Sequence, residues 1–262
     1  MTTRTKPHAF FDYPYPIPLA HRGGDEVYPE NTLAAFSHAY ALGYRYFETD
    51  VHYTVGHELV AFHDTNLLRT AGSSGKVADL TAAARKSIRF QDKYPLPLLS
   101  ELLEAFPDVY FNIDAKSDSA VEPLVATLAR HGALHRVCLA SFSAPRLARL
   151  RHLAPQVPMG ASRYEIAALW SGISLPPHIN DTPKYVEMPA YALWEQKRVP
   201  LITKRIIDRL HAKGHKILIW TVNEEHEMQQ LLDLGVDGIF TDKPEVLKRV
   251  LQARSAWLAP TI

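Results

Sequence analysis

Residues 19–24 are Leu-Ala-His-Arg-Gly-Gly, and residues 47–51 are Phe-Glu-Thr-Asp-Val. In both stretches the charged residues lie at or just after the end of a short apolar run, as they do in His63-Asp64. Parallel strands end at one edge of a sheet, so these runs would bring two histidines, an arginine and two carboxylates to one rim. Such a set of groups is typical of metal-assisted chemistry on phosphate esters.

Along the rest of the chain, short apolar runs alternate with segments of helical period. This alternation predicts an α/β fold of parallel strands joined by crossover helices. The candidate strands are residues 17–21, 44–51, 108–114, 136–141, 157–161, 184–188, 216–222 and 237–241. Eight strands is the number for a closed TIM-type (β/α)8 barrel, in which the reactive groups collect at the C-terminal ends of the strands.

Apolar residues between these strands recur at helical spacing and predict one buried stripe on each helix. The stripes are Leu33/Phe36/Tyr40, Val121/Leu124/Val125/Leu128, Ile206/Ile207/Leu210 and Met228/Leu231/Leu232. Two helix starts are indicated by Asn223 before a pair of glutamates and by Asp242 before Pro244.

The stretch from about 52 to 97 is too long for a simple connection and is interpreted as an insertion after the second strand. Residues 58–64, 72–75 and 94–97 within it predict an additional strand, a flexible turn and an extended return. Apart from this insertion, residues 1–262 are expected to form a single barrel domain, because a chain of this length with 47% hydrophobic residues can bury one large core.

Composition excludes several classes of function. With 29 basic and 28 acidic residues the formal charge is +1, which gives no electrostatic reason to expect nucleic-acid binding. Cys138 is the only cysteine, so no intramolecular disulfide is expected, and a buried position in a strand is predicted for it. The first twenty residues contain four prolines and no continuous apolar run, so neither a secretory signal nor stable membrane insertion is predicted, and the cytoplasm is the expected location.

Further blocks follow along the chain: Phe111-Asn112-Ile113-Asp114-Ala115-Lys116, Ser141-Phe142, Trp220-Thr221-Val222-Asn223 and Gly238-Ile239-Phe240-Thr241-Asp242-Lys243-Pro244. In this order the blocks resemble the glycerophosphodiester phosphodiesterase family from about residue 18 to 245, with a weaker match between roughly 160 and 185. The resemblance implies that the insertion is a small subdomain forming one wall of the pocket.

Glu48 and Asp50 are two residues apart, so both side chains face the same side of an extended strand. Two carboxylates inside a barrel repel each other unless a cation lies between them, and hard oxygen ligands favour Mg²⁺ or Ca²⁺. Asp114 would complete this metal site as the third carboxylate. The family usually has glutamate at that position, so the shorter side chain is expected to bind the metal less tightly.

The resemblance also implies a role for each remaining site residue. His21 and His63 would act as general acid and base, one deprotonating the nucleophile and the other protonating the leaving alkoxide. The substrate-binding residues would be Arg22, Glu30, Lys116 and Trp220. Arg22 matches two phosphate oxygens with its planar fork, and Trp220 offers an apolar surface to the substrate. The nucleophile is left open between a neighbouring substrate hydroxyl and water.

Asn31, next to Glu30, has a competing interpretation as the cap of a helix beginning at Thr32. Between 163 and 183, Arg163, Tyr164, Trp170, His178 and the pair Pro176-Pro177 indicate a loop-rich region that is a candidate for substrate specificity.

Three functions compete. The leading hypothesis is metal-dependent hydrolysis of glycerophosphodiesters, a small-molecule substrate class, to glycerol 3-phosphate and an alcohol such as choline or ethanolamine. A second keeps the same residues but acts on lysophospholipids, which requires a wide apolar mouth. A third is a catalytically silent barrel that binds a phosphorylated ligand or a partner protein. The complete set of charged residues argues against the third, because such groups are costly to hold in a pocket without a function. The oligomeric state is left open.

Overall fold

The computed structural model describes residues 9–173, 184–195 and 197–258. The strands within these ranges are β1 (Ile17–His21), β2 (Tyr46–Tyr53), β3 (Leu59–Ala61), β4 (Arg89–Phe90), β5 (Tyr94–Pro95), β6 (Tyr110–Ala115), β7 (Val137–Ala140), β8 (Met159–Gly160), β9 (Lys184–Pro189), β10 (Tyr191–Trp194), β11 (Lys197–Pro200), β12 (Lys216–Trp220) and β13 (Gly238–Thr241).

Eight of these described strands form a closed parallel barrel in the order β1, β2, β6, β7, β8, β9, β12, β13. Closure comes from β13, which pairs with β1 so that Phe240 lies opposite Leu19. All eight correspond to strands predicted from the sequence, with ends that differ by at most two residues. The predicted TIM-type (β/α)8 barrel is therefore confirmed.

The helices, again within the described residues, are α1 (Leu33–Ala41), α2 (Leu68–Ala71), α3 (Ala82–Ser87), α4 (Leu99–Ala105), α5 (Val121–Arg130), α6 (Ala144–Leu153), α7 (Arg163–Ser171), α8 (Lys204–Ala212), α9 (Glu225–Leu234) and α10 (Pro244–Ala253). The predicted apolar stripes lie on α1, α5, α8 and α9 and pack against the outside of the barrel. Helix α10 begins at Pro244, as predicted. At the start of α9, however, the side chain of Asn223 makes no cap, because it binds Asp242 instead.

The insertion after β2 contains more regular structure than its sequence predicts. Strand β3 pairs antiparallel with the end of β2, which confirms the additional strand. Helices α2 and α3 and the small antiparallel pair β4–β5 follow it, and the sequence did not reveal the two helices. A separate apolar cluster stabilises this part of the chain, with Val60, Phe62, Phe90 and Leu96 at its centre.

The predicted loop-rich region after residue 163 is wrong in its first part, because Arg163–Ser171 is helix α7. Ser162 and Glu165 form a capping box at its start, and Gly172 ends it in the left-handed conformation (φ +85°). The interpretation of Pro176, Pro177 and His178 lies outside the described residues. Over the described parts of the chain, no helix is both long and apolar enough to cross a membrane.

Alternation along the strands divides the barrel interior into an apolar floor and a polar mouth. Leu19, Tyr46, Tyr185 and Phe240 belong to one buried cluster inside the barrel, which also contains Cys138 as predicted. Successive side chains of a strand point to opposite faces, so the next inward-facing residue lies two positions further on. The next inward residues are His21 on β1, Glu48 and Asp50 on β2, Asn112 and Asp114 on β6, Glu187 on β9, and Asp242 just after β13.

Candidate active site

The polar mouth of the barrel encloses a cavity of about 160 Å³. Of the predicted site residues, eight line it: His21, Arg22, Glu48, Asp50, His63, Asp114, Lys116 and Trp220. Glu30 is the ninth and does not line it. Residues that are up to about two hundred positions apart therefore meet where the strands of the barrel end, as the alternation of strands and helices predicts.

His21 forms a pair with Asp242 at the closure of the barrel. Its Nδ1 lies 2.6 Å from Oδ1 of Asp242, and its Nε2 lies 3.8 Å from Oε2 of Glu48. Burial would raise the pKa of Asp242, but the hydrogen bond with His21 holds it below the usual value, so the carboxylate is ionised and accepts. Burial lowers the pKa of His21, yet the charge of Glu48 and the bond to Asp242 outweigh it, and the net pKa is raised.

His63 forms a second pair of the same kind with its neighbour Asp64. Its Nδ1 lies 2.6 Å from Oδ1 of Asp64. The hydrogen bond from Arg69, with that from His63, lowers the pKa of Asp64 to about 2, so this carboxylate is ionised as well. Because an ionised carboxylate only accepts, Nδ1 of His63 donates and Nε2 is the nitrogen left to face the cavity.

Asp50 and Asp114 lie opposite each other in the register of β2 and β6. The ammonium of Lys116 lies between them, 2.8 Å from Oδ1 of Asp50 and 2.6 Å from Oδ2 of Asp114. Burial would raise the pKa of Asp50, but Lys116 and Arg22 lower it to about 2. Burial dominates at Asp114 and raises its pKa despite Lys116.

Two further carboxylates in the cavity have raised pKa values. Burial, reinforced by the charge of Asp50, raises the pKa of Glu48 to about 7. Burial raises that of Glu187 to about 8, and Glu187 accepts a hydrogen bond from the side chain of Asn112. Strand β9 lies directly across the barrel from β2, so these acids close the site from opposite sides.

The chemistry of this donor set fits a divalent cation, although the described residues show no ready-made metal site. No three of the described histidine, cysteine and acidic side chains converge closely enough to hold an ion. Oδ1 of Asp114 is nevertheless buried and has no hydrogen-bond partner among the described residues. An orphaned carboxylate oxygen beside Glu48 and Asp50 is the kind of hard donor that Mg²⁺ or Ca²⁺ takes.

Arg22 follows His21 in a tight turn and is held by carboxylates on two sides. Its Nη1 donates to Oε1 of Glu30 at 3.1 Å, and its Nε lies 3.1 Å from Oδ2 of Asp50. The turn continues through Gly23 (φ +83°), where a Cβ atom would come within 2.8 Å of the backbone nitrogen of Phe36. Glu30 therefore lies behind Arg22 and holds it, outside the cavity.

Asn31 is not the helix cap that the sequence suggested. Helix α1 is capped by Thr32, whose hydroxyl accepts from the backbone of Ala35. The side chain of Asn31 donates to Oδ2 of Asp50 at 3.3 Å and accepts from the hydroxyl of Thr49 at 2.8 Å. Asn31 thus orients a carboxylate of the site.

Trp220 lines the cavity at the end of β12, against a half-exposed aromatic ring. Its ring and that of Phe142 are 5.8 Å apart and nearly perpendicular. Beyond them an open apolar groove of about 440 Å³ continues from the cavity between α7 and the ends of β9 and β12. The groove is lined by Phe142, Arg163, Ile166, Ala167, Trp170, Glu187, Met188, Pro189, Leu201 and Trp220.

Sequence reasoning assigned no site role to five residues that the structure brings into the site or into contact with its side chains: Asp64, Arg69, Glu187, Asn223 and Asp242. A signal existed for Glu187, because an acidic residue stands inside a predicted apolar strand. Asn223 and Asp242 belong to the blocks quoted above, where the sequence predicts helix starts for them. Nothing in the local sequence marks Arg69.

Comparisons with known proteins identify the family of the chain. A sequence model of the glycerophosphoryl diester phosphodiesterase family matches residues 21–246. A protein of Mycobacterium tuberculosis named "Probable glycerophosphodiester phosphodiesterase 2" is 37% identical over 256 residues, and the match covers 92% of each chain. A lysophospholipase D of Rattus norvegicus is 28% identical, over 91% of this chain and 87% of that protein.

Solved structures show the same fold. The crystal structure of a glycerophosphodiester phosphodiesterase from Agrobacterium tumefaciens superposes with a TM-score of 0.75 at 21% identity, covering 90% of this chain and 99% of the other. Because the family match spans most of the chain and the mycobacterial relative is similar over nearly its full length, the chain belongs to the glycerophosphoryl diester phosphodiesterase family and is a phosphodiester hydrolase.

Proposed function

We propose that this enzyme hydrolyses glycerophosphodiesters to glycerol 3-phosphate and a free alcohol, with a divalent cation and with His21 and His63 as the general acid and base. The observation that carries the proposal is the pair of histidines, each bound through Nδ1 to an ionised aspartate and each lining the cavity that contains Arg22 and Lys116. Neutral and protonated imidazoles can exchange protons near pH 7, as phosphodiester cleavage requires.

The phosphate of the substrate would bind between Arg22 and Lys116. Both cations are partly buried on the rim of the cavity, where an anion interacts with them more strongly than in water. The guanidinium of Arg22 matches two phosphate oxygens and cannot lose its charge, and Lys116 has a raised pKa because Asp50 and Asp114 outweigh the effect of burial. Both residues therefore remain cationic throughout turnover.

The two histidines would differ in role. His21, whose pKa is raised, keeps its proton to higher pH than an ordinary histidine and would deliver it from Nε2 to the leaving alkoxide. His63 would accept the proton of the nucleophile at Nε2, because its Nδ1 is committed to Asp64. Either water or a hydroxyl of the substrate's glycerol fits the role of nucleophile.

Glu48, Asp50 and Asp114 would hold the divalent cation. When bound, the ion supplies positive charge that stabilises the negative charge developing on the phosphoryl oxygens. Asp114 is one methylene shorter than the glutamate usual in the family, so we expect the metal affinity to be modest.

The proposal is tested by incubating the purified protein with glycerophosphocholine and glycerophosphoethanolamine, with Mg²⁺, with Ca²⁺ and with a chelator. We expect metal-dependent release of glycerol 3-phosphate and the free alcohol. Release of phosphocholine in place of choline would contradict the bond assignment, and full activity with the chelator would contradict the metal.

A second candidate, lysophospholipid hydrolysis, is favoured by the apolar groove next to the cavity. A groove with half-exposed Phe142 and Trp170 offers an acyl chain a surface of the right chemistry. The lysophospholipase D among the relatives shows that this substrate class occurs in similar proteins. If the groove binds the chain, kcat/KM should rise with acyl length, and Trp170→Ser should remove that dependence while glycerophosphocholine hydrolysis is unchanged.

We further propose that the chain acts as one barrel domain in the cytoplasm. A single buried cysteine, Cys138, suits a reducing compartment. A fluorescent fusion of the full-length protein would test the location.

A further inference from the structure

Arg69 lies on helix α2 of the insertion and binds two carboxylates at once. Its Nε and Nη2 donate to Asp64 at 2.6 and 3.1 Å, and its Nη1 and Nη2 donate to Glu30 at 3.0 and 2.7 Å. Each contact uses both oxygens of the carboxylate, and this bidentate geometry fixes the orientation of the acid as well as its position.

Both carboxylates hold a group of the active site on their other side. Asp64 accepts from Nδ1 of His63, and Glu30 accepts from Nη1 of Arg22. A continuous chain of charged contacts therefore runs from His63 through Asp64, Arg69 and Glu30 to Arg22. Its two ends line the same cavity, although one belongs to the insertion and the other to β1 and the turn after it.

We propose that Arg69 is a positioning residue that holds His63 and Arg22 in one geometry, so that the general base and the phosphate-binding arginine face the same substrate atom. This inference rests on the roles proposed above for His63 and Arg22. It assigns to the insertion the task of coupling its own histidine to the barrel.

Four of the five N–H groups of Arg69 donate to the two carboxylates, so most of its hydrogen-bonding capacity is used to hold them. This arrangement does not resemble an ordinary surface ion pair, which contributes little to stability. Arg149 provides the contrast: its side chain is exposed to a similar degree (46%, against 51% for Arg69), but it meets a single, exposed carboxylate, that of Glu122, on α5.

Removing Arg69 leaves Asp64 and Glu30 facing each other without the cation between them. Both carboxylates would then lose the contact that fixes their orientation, so the directions of His63 and Arg22 would be less well defined. Loss of an orienting partner commonly lowers activity by about 10- to 100-fold, and a displacement of 1 Å is sufficient for the larger value. We expect kcat of Arg69→Ala to fall by about that factor.

Chemical rescue distinguishes a loss of activity caused by lost positioning from one caused by misfolding. Arg69 borders an open cavity that also reaches His63 and Lys116, so a small cation has access to the vacated place. Added guanidinium, at concentrations that leave the wild type unaffected, should restore part of kcat in Arg69→Ala. Arg69→Lys should keep only part of the activity, because one ammonium cannot make two bidentate contacts. Arg149→Ala, the matched control, should keep wild-type kcat.

Two results would overturn the inference: wild-type kcat in Arg69→Ala, or a loss of kcat that guanidinium does not reverse. If Arg69→Ala does not fold, Arg69→Lys and Arg69→Gln answer the same questions. His63→Ala separates this inference from the proposed function. Wild-type kcat in His63→Ala removes the proposed base, whereas a defect in His63→Ala with none in Arg69→Ala removes only the role of Arg69.

Discussion

The two histidine–aspartate pairs make the same contact, from Nδ1 to a carboxylate oxygen, but they are brought together in different ways. His21 and Asp242 are 221 positions apart and meet because β13 closes the barrel against β1, whereas His63 and Asp64 are neighbours in the chain. The side chain of His21 is 14% exposed and that of His63 35% exposed. The barrel thus supplies a pair that its closure brings together and that Asn223 also holds, while the insertion supplies one whose aspartate is oriented by Arg69.

The largest expected effect comes from removing either histidine. His21→Ala and His63→Ala should each lower kcat on glycerophosphocholine by about 10²–10⁴-fold, the usual size of general acid–base catalysis. A nitrophenyl leaving group departs without a proton, so glycerophospho-p-nitrophenol should recover most of the loss in His21→Ala and little of it in His63→Ala. Steady-state kinetics on both substrates measure the difference.

Equal losses on the two substrates in His21→Ala would mean that the buried histidine is not the acid. Wild-type kcat in either variant would remove that histidine from the mechanism. Circular dichroism of both variants controls for folding.

The second-largest expected effect concerns the metal site, with the more exposed histidine–aspartate pair as the comparison. Asp114 is a proposed ligand with one carboxylate oxygen unpaired, so Asp114→Asn should raise the Mg²⁺ concentration for half-maximal activity by about tenfold or more. Asp64→Asn, in the more exposed pair, should leave that concentration unchanged. An unchanged value in Asp114→Asn would exclude Asp114 as a ligand.

Asp114→Glu sharpens this test, since it restores the residue usual in the family. Ligand distances tolerate only about ±0.2 Å, and a site adapted to the shorter acid would be crowded by one more methylene. We therefore expect lower activity. Tighter Mg²⁺ dependence at equal or higher kcat would show instead that Asp114 is a tolerated defect.

Structural features that recur with a fixed period along the chain could be predicted from the sequence. Because side chains alternate along a strand, the spacing of Glu48 from Asp50 and of Asp114 from Lys116 was enough to place each pair on one face, and the structure brings all four into one cavity. Eight apolar runs were enough to predict the barrel. The pair His63-Asp64 was visible as well, because it is local.

The contacts that the sequence could not reveal depend on closure of the barrel and on which of several suitable side chains makes a given hydrogen bond. Asp242 reaches His21 only through pairing of the last strand with the first, and no spacing encodes that contact. Asn31 and Thr32 are both residue types that cap helices well. Thr32 caps α1, because the side chain of Asn31 donates to Asp50. Arg69 lies on a helix of four residues that has no amphipathic pattern. Helix α7, in contrast, could have been predicted, since its capping box, Ser162 with Glu165, is readable in the sequence.

A smaller effect concerns the pH profile. The charge of Glu48 and the bond to Asp242 raise the pKa of His21 above the value that burial alone would give, so Asp242→Asn should lower this pKa. His21 would then lose its proton at lower pH, and the alkaline limb of the kcat/KM profile should move to lower pH. Asp64→Asn should lower kcat with the alkaline limb in place. Identical shifts in both variants would mean that the limb does not report on His21.

The smallest expected effect is on thermal stability. It tests whether the protonated form of His21 stabilises the folded protein. Its pKa is raised in the folded state, so the stabilisation by its protonated form is complete below about pH 6.5, the usual value for histidine, and is lost as the pH rises through the folded pKa. His21→Gln lacks this contribution at every pH. The difference in Tm between wild type and His21→Gln should therefore shrink over the pH range above about 6.5, by about 2–4 °C for each kcal/mol involved. Calorimetry over this range measures it. A difference that is constant or grows with pH would mean that Glu48 and Asp242 do not outweigh the burial of His21, and the assignment of the acid to the buried pair would lose its physical basis.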